Sequence, residues 1–170
     1  MHENGQLVDG MYADSTDGED HVSGVFTDNL RPVAEDVGFS FSAFYRTHPD
    51  SNMGSNTSTH HLFDCQDFNN NAGWKLYVNP HFDTRWNFGL EMNGLTLFST
   101  GHIEPLDAYA GKFHHVAFTS KDGVIKVYYN GVLVHTENGV TFLPDVPAHG
   151  EYRIGNDFMS RFATDKVTIY

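Results

Sequence analysis

Lys112-Phe113-His114-His115-Val116-Ala117-Phe118-Thr119-Ser120-Lys121-Asp122-Gly123-Val124-Ile125-Lys126-Val127-Tyr128-Tyr129-Asn130-Gly131-Val132-Leu133-Val134-His135-Thr136 is the stretch whose reading decides the fold. It divides into three strand-like runs, Phe113–Thr119, Val124–Tyr129 and Val132–Thr136, separated by Lys121-Asp122-Gly123 and Asn130-Gly131. An Asn-Gly pair between two such runs is a strong hairpin signal, because both residues tolerate the positive φ of a type I′ turn. The expectation is an antiparallel meander.

The same period of two extends in both directions, as expected of half-buried strands. Upstream, Val37–Arg46 sets Phe39, Phe41 and Ala43 against Gly38, Ser40 and Ser42, and His60–Cys65 reads as the next strand. Gly73–Asn79 sets Trp74, Leu76 and Val78 against Lys75 and Tyr77. Arg85–Met92 carries Trp86, Phe88, Leu90 and Met92, and Asn93-Gly94 turns it into Leu95–Phe98. Downstream, Tyr152-Arg153-Ile154-Gly155 and Lys166–Tyr170 close the set. About nine to twelve short strands, no helical period and no long repeat mean an all-β two-sheet sandwich or a barrel.

Hydrophobic residues are 39% of the chain and aromatics 14%, which supports a core and argues against disorder. At 170 residues the chain suits a single domain, 1–170, that buries roughly two-thirds of its unfolded surface. The formal charge is −12, from 22 acidic and 10 basic residues. With no basic stripe to release counterions, nucleic acid and an anionic membrane surface are excluded as partners. The acidic excess suits an extracellular protein that collects divalent cations; solubility alone also explains it. A single cysteine, Cys65, rules out an internal disulfide and is expected as a buried, inert thiol. Met1-His2-Glu3-Asn4-Gly5 opens no apolar signal sequence, and no run of ~18 apolar residues predicts a membrane span. Because the chain stops on strand-like Val167-Thr168-Ile169-Tyr170, it is expected to be part of a longer polypeptide with other domains.

The piece from Lys112 to Thr136 resembles the laminin-G-like family, whose members carry an aromatic-His-His-Val-Ala strand, an acidic-Gly turn and a strand ending in Tyr-x-Asn/Asp-Gly. Here Phe113 replaces the usual Trp. Phe39-Ser40-Phe41-Ser42-Ala43-Phe44-Tyr45 is similar to the family's early strand. Tyr152–Gly155 and Thr164–Tyr170 are similar to its ending, although its second Asp has become Lys166. The resemblance implies a jelly-roll sandwich of two antiparallel sheets, of the concanavalin A-like kind. It also implies a structural calcium at Asp165, beside acidic residues near the N-terminus, for which Asp17 and Asp20 are the candidates.

Other candidates come from the residues themselves. Asp64-Cys65-Gln66-Asp67-Phe68-Asn69-Asn70-Asn71 gathers carboxylates and amides that can hold sugar hydroxyls or a cation; Asp64, Asp67 and Asn69 are the contacts expected, with ordinary turn chemistry as the alternative. Sugar binding also needs aromatic faces. Trp74, Tyr77, Trp86, Tyr109, Tyr129 and Tyr152 are available; Trp74 and Trp86 share strand faces with Leu76 and Phe88 and read as core before platform, and Tyr109, in a loop, is the better exposed aromatic. Arg85 and Arg153 can grip the carboxylate of a sialic or uronic acid bidentately. Eleven histidines invite zinc, but His60-His61 and His114-His115 are adjacent pairs, which a strand sends to opposite faces. His115 is expected to share the core side with Phe113 and Ala117. The paired carboxylates of a glycanase strand are missing, since Glu91 stands alone between Leu90 and Met92, and no nucleophile motif is present.

The expectation is therefore a non-catalytic, lectin-like module of an extracellular or cell-surface protein, binding a glycan or glycoprotein and braced by calcium. Its rivals are a protein-binding or structural laminin-G-like domain, and a glycan-cleaving enzyme of the same fold.

Overall fold

The computed structural model describes residues 6–13, 22–34, 36–47, 60–67, 69–80, 86–100, 113–148, 150–154 and 162–169; at 6–13, 22–23, 46–47, 60, 79–80, 86 and 162–169 it describes the backbone alone. The described elements are strands and one 3₁₀ turn, Asp28–Leu30. In chain order the strands are β1 (Gln6–Ala13), β2 (Val22–Val25), β3 (Phe39–Thr47), β4 (His60–Asp64), β5 (Trp74–Pro80), β6 (Trp86–Met92), β7 (Leu95–Ser99), β8 (His114–Lys121), β9 (Val124–Tyr129), β10 (Val132–Asn138), β11 (Glu151–Ile154) and β12 (Phe162–Ile169). They form two six-stranded sheets, ordered β1-β12-β3-β8-β9-β10 in sheet A and β2-β11-β4-β5-β6-β7 in sheet B. All pairings are antiparallel. The chain is an all-β jelly-roll sandwich, as its patterning and resemblance predicted.

The meander forms as read. β8 pairs β9, and β9 pairs β10. Both turns place two consecutive residues at positive φ, Asp122 (52°) with Gly123 (73°) and Asn130 (48°) with Gly131 (79°). That is the type I′ geometry, whose twist matches the strands it joins.

Alternation then decides which side of each strand is buried. In β3, Phe39, Phe41, Ala43 and Tyr45 are buried; in β5, Trp74, Leu76 and Val78; in β9, Ile125, Val127 and Tyr129. Trp74 is the hub. It stacks on Phe63 at 4.2 Å and meets Phe39, Phe41, Phe118 and Phe142 edge-on at 5.6–5.7 Å. Its Nε1–H donates to Leu30 O at 2.9 Å, so the one polar atom of the ring is satisfied inside the core. The core reading of Trp74 is correct.

One side is reversed relative to expectation. In β8 the buried residues are His114, Val116, Phe118 and Ser120, so His114, not His115, faces the core. Phe113 precedes the strand and is exposed, and the parity is set by Val116 and Phe118, which bury more apolar surface than Ala117. The His114 ring stacks on Tyr129 and shares a 2.6 Å hydrogen bond with its hydroxyl. His115 lies outside, against Phe44 (4.6 Å between rings) and 2.6 Å from Ser42 Oγ through Nε2.

Candidate functional site

The outer face of sheet B carries two rows of polar side chains in register. Its first row crosses five strands in register: Arg153 (β11) opposite Asp64 (β4), Asp64 opposite Lys75 (β5), Lys75 opposite Glu91 (β6), and Glu91 opposite Thr96 (β7). Signs alternate along it, so each charge has an opposite neighbour about 5 Å away across the ladder. The next row holds His61, Tyr77, Gly89 and Ser99.

Two local features build this face. In β4 the ladder slips between His61 and Phe63. Leu62 and Phe63 are both fully buried, so this bulge resets the alternation and puts His61 and Asp64, three residues apart, on the same outer side. In β6, Gly89 lies beneath the Tyr77 ring, which a Cβ at this position would strike. The ring is thus laid across bare backbone, half-buried, with Lys75 Nζ 5.7 Å from its centroid.

Asp64 is only 8% exposed. His61 Nδ1–H donates to its Oδ2 at 2.7 Å, and Gln66 N–H to its Oδ1 at 2.8 Å. Burial pushes its carboxyl pKa up, but the His61 hydrogen bond and charge, the Gln66 N–H and Lys75 together outweigh burial and hold it below the usual carboxylate range. Lys75, nearly as buried, pairs with Glu91 at 3.0 Å. Burial and the nearby Glu91 raise the Tyr77 phenol, which therefore stays protonated at neutral pH and available as a donor. Asn87, two residues before Gly89 in β6, lies on the same outer side; its Oδ1 is buried without a hydrogen-bond partner.

Of the residues singled out from sequence, the structure brings Asp64 and Arg153 together, as register neighbours. Asp67 belongs to the loop after β4, where its side chain performs turn chemistry: it accepts from Asn69 N (3.0 Å), Asn70 Nδ2 (2.8 Å) and Ala148 N (3.3 Å). Asn69 is exposed on that loop. Cys65 is buried, with Sγ between Trp74 O (3.2 Å) and Trp74 N (3.3 Å), and burial pushes its thiol pKa far up, the inert state expected. Among the aromatic candidates, Trp74 and Tyr129 are core, Tyr152 stacks on Phe63 at 5.6 Å, and Tyr77 lies on the outer face. Arg85 and Tyr109 lie outside the described residues, and so does the Trp86 side chain, whose backbone pairs with Pro80. Asp17 and Asp20 also lie outside them. Asp165 is described by backbone alone, at the point in β12 where the register against β3 slips between Thr164 and Lys166. Among the described residues no three His, Cys, Asp or Glu side chains gather as a metal site, and no helix is long and apolar enough to cross a membrane.

His61, Lys75 and Glu91 were not legible as a site. Lys75 and Glu91 read as the solvent side of two strands, and His61 only as half of an adjacent pair.

Several solved structures share this fold. The botulinum neurotoxin serotype D ligand binding domain in complex with N-acetylneuraminic acid matches with a TM-score of 0.68 at 16% identity, over 99% of this chain and 41% of that one. The binding domain of Paraclostridial Mosquitocidal Protein 1 matches at 0.66 and 14% identity, over 99% and 42%. A galectin of Caenorhabditis elegans matches at 0.50 and 14% identity, over 95% and 96%. The chain thus spans about two-fifths of the toxin domains. No curated protein sequence matches it significantly. A family model for laminin G domains, described as the concanavalin A-like lectin/glucanases superfamily, matches residues 16–170. With that match and two antiparallel six-stranded sheets, the chain belongs to the laminin G family of the concanavalin A-like lectin/glucanases superfamily.

Proposed function

We propose that this chain is a non-catalytic, carbohydrate-binding module of an extracellular or cell-surface protein, and that the glycan lies on the outer face of sheet B. The observation that carries the reading is Tyr77 laid across Gly89 between two largely buried polar pairs, His61–Asp64 and Lys75–Glu91, whose His61 and Glu91 members are the more exposed. Saccharide sites combine an aromatic surface for C–H contact with fixed polar groups that orient hydroxyls. The solved neighbours named as a galectin and as a domain in complex with N-acetylneuraminic acid support a saccharide as ligand.

A glycan-cleaving reading is weaker on chemistry. A glycosidase pair needs one carboxyl raised so that it can act as an acid. Asp64 is held down, and Glu91 is ion-paired with Lys75, which stands between them. Protein docking is the second reading. It rests on the outer face of sheet A, where Phe44 (40% exposed) and Leu133 (49%) flank His115, Ala117 and Tyr128. A calcium at Asp165, with Asp17 or Asp20, is part of the same proposal, as a structural brace.

A glycan-array screen in millimolar Ca²⁺ and again in EDTA tests the reading, with Tyr77→Ala in parallel. Binding to a related set of glycans that Tyr77→Ala abolishes is expected in both solutions. Silence of the wild-type chain in both would overturn the lectin reading in favour of protein docking. Binding that survives Tyr77→Ala would move the site off this face.

A further inference from the structure

The outer face of sheet A runs against the charge of the chain as a whole. We infer that it docks an extended acidic peptide segment, with an apolar anchor at one end and carboxylates two and four residues beyond it. This is the face named above for protein docking, and a sugar on sheet B is not required for it.

The face has two chemically different ends. At the first, Ala117, Tyr128 and Leu133 form one cross-strand row, and Phe44 stands opposite His115 in the next. Phe44 and Leu133 are exposed. The His115 ring is fixed by Ser42 Oγ at 2.6 Å and by the Phe44 ring at 4.6 Å, and burial lowers its pKa, so this end is uncharged at neutral pH. At the other end Lys126 and Lys121 are exposed, and among the described residues neither has an ion-pair partner. The remaining outward side chains described on β3, β8, β9 and β10 are serine, threonine, valine and asparagine, so no carboxylate is described on the face of these strands. Glu137 stands opposite buried Ile125, on the inner side, and pairs with His135. Asp122 lies at the tip of the β8–β9 turn, beyond the end of the face. In a chain of formal charge −12, a negative partner meets here an apolar surface and two lysines together.

Dimensions favour a peptide. From β3 to β10 the face spans three strand spacings, about 14 Å, and from His115 to Lys121 it runs about 20 Å along the strand. That is the length of about six extended residues. Its area, about 280 Å², falls well short of the roughly 800 Å² per partner of a standard interface between folded proteins. The spacing of the occupant follows from β9. Lys126 is two residues from Tyr128, and Val124, in register with Lys121, is two further. A peptide laid along the strands therefore puts an apolar side chain over Tyr128 and Leu133, then a carboxylate at Lys126 and another at Lys121. A second copy meeting the same face would instead set lysine against lysine, in a chain that already repels itself. A saccharide would find the hydroxyls of this face without the carboxylates and amides that orient sugar hydroxyls.

The test titrates capped peptides into the ¹⁵N-labelled chain and follows amide shifts by NMR. The probes are Gly-Phe-Gly-Glu-Gly-Glu-Gly, the same sequence reversed, and versions with Gln or Lys in place of Glu. One of the two Glu peptides should give saturable shifts at Phe44, His115, Lys126 and Tyr128, weakening as salt is added. The Gln version should bind several-fold more weakly and the Lys version not at all. In the double variant Lys121→Glu/Lys126→Glu, affinity for the Glu peptide should fall about tenfold or more, and the Lys peptide should now bind. Both lysines are exposed, so the fold should survive, which unchanged shifts at the core residues Trp74 and Phe118 verify. Leu133→Asn, also at an exposed position, should weaken the Glu and Gln peptides alike, because it removes the anchor and not the charge. Silence with every peptide overturns the inference, as do equal affinities for the Glu and Gln versions. Shifts at these residues on raising the protein concentration alone overturn it in favour of a second copy. Shifts produced by an oligoglucuronate while the peptides are silent overturn it in favour of an acidic glycan.

Discussion

Gly89→Ala should destabilise the chain only while Tyr77 is present. The Gly89 backbone is not at positive φ, so alanine is conformationally acceptable there. In isolation it would gain roughly 0.5–1 kcal/mol over glycine in a strand interior, because less backbone entropy is lost on folding. The added Cβ, however, would occupy the space of the outer end of the Tyr77 ring, and the ring must swing away. A tyrosine buries roughly 150–250 Å² when fully packed. If the displaced ring loses about 80–100 Å² of cover, the cost at ~25 cal/mol/Å² is about 2–2.5 kcal/mol. The net expectation for Gly89→Ala is a loss of about 1–2 kcal/mol. In a Tyr77→Ala background the same change should stabilise by roughly 0.5–1 kcal/mol, giving a coupling of about 2 kcal/mol, within the range seen for residues in contact. Urea unfolding followed by the fluorescence of buried Trp74 measures all four proteins, with an unchanged m-value as the check that the denatured state is the same. Gly89→Ala should also abolish glycan binding, by removing the flat aromatic surface. Equal destabilisation by Gly89→Ala in both backgrounds would refute the reasoning, because the ring would then not be what the glycine accommodates.

Three further outcomes follow from the same face and core. The Asp64 carboxyl titrates below its unfolded value near pH 4, so it contributes stability above that pH, lost as pH falls through its folded-state value. In His61→Ala the largest force holding it down is gone while burial remains, so the slope of stability between pH 3 and 5 should flatten or reverse; an unchanged acid limb in urea titrations would refute the pairing. Cys65, raised by burial and enclosed by Trp74, should resist a thiol reagent in native buffer and react fully in denaturant, and rapid native labelling would contradict its placement. Calcium, if held by Asp165, should raise the melting temperature by mass action, and Asp165→Asn should remove the increment; equal melting curves in Ca²⁺ and EDTA would remove the metal from this domain.

Much of the fold was legible because its signals are short-ranged. The runs around Phe39, Trp74, Phe88, Val116 and Ile125 alternate cleanly, and the Asp122-Gly123 and Asn130-Gly131 turns adopt the positive φ angles their residues tolerate. β1 and β2 were not anticipated. Gln6–Ala13 lacks clean alternation and contains Asp9-Gly10, and it is a strand because β12, from the far end of the chain, offers it a partner from Gln6↔Ile169 to Ala13↔Phe162. The site was harder. Asp64 and Arg153 were chosen for their chemistry, but nothing local says that they are neighbours. His61 and Asp64 share a face only through the β4 bulge, because strict alternation sends residues three apart to opposite sides. His115 was assigned to the core for the same kind of reason, counting parity from Phe113, which the packing leaves outside the strand.

By itself, then, the sequence determined the strand class, the hairpin turns, the burial expected of Cys65, and the acidic net charge. Each of these depends on interactions within a few residues, or on totals that no folding alters. Only the tertiary structure decided which strands are neighbours, where β4 bulges, and hence that His61, Asp64, Lys75, Tyr77 and Glu91 share one surface. A strand's period says which side is apolar, not what will lie beside it. That choice belongs to the packing of both sheets around one aromatic core.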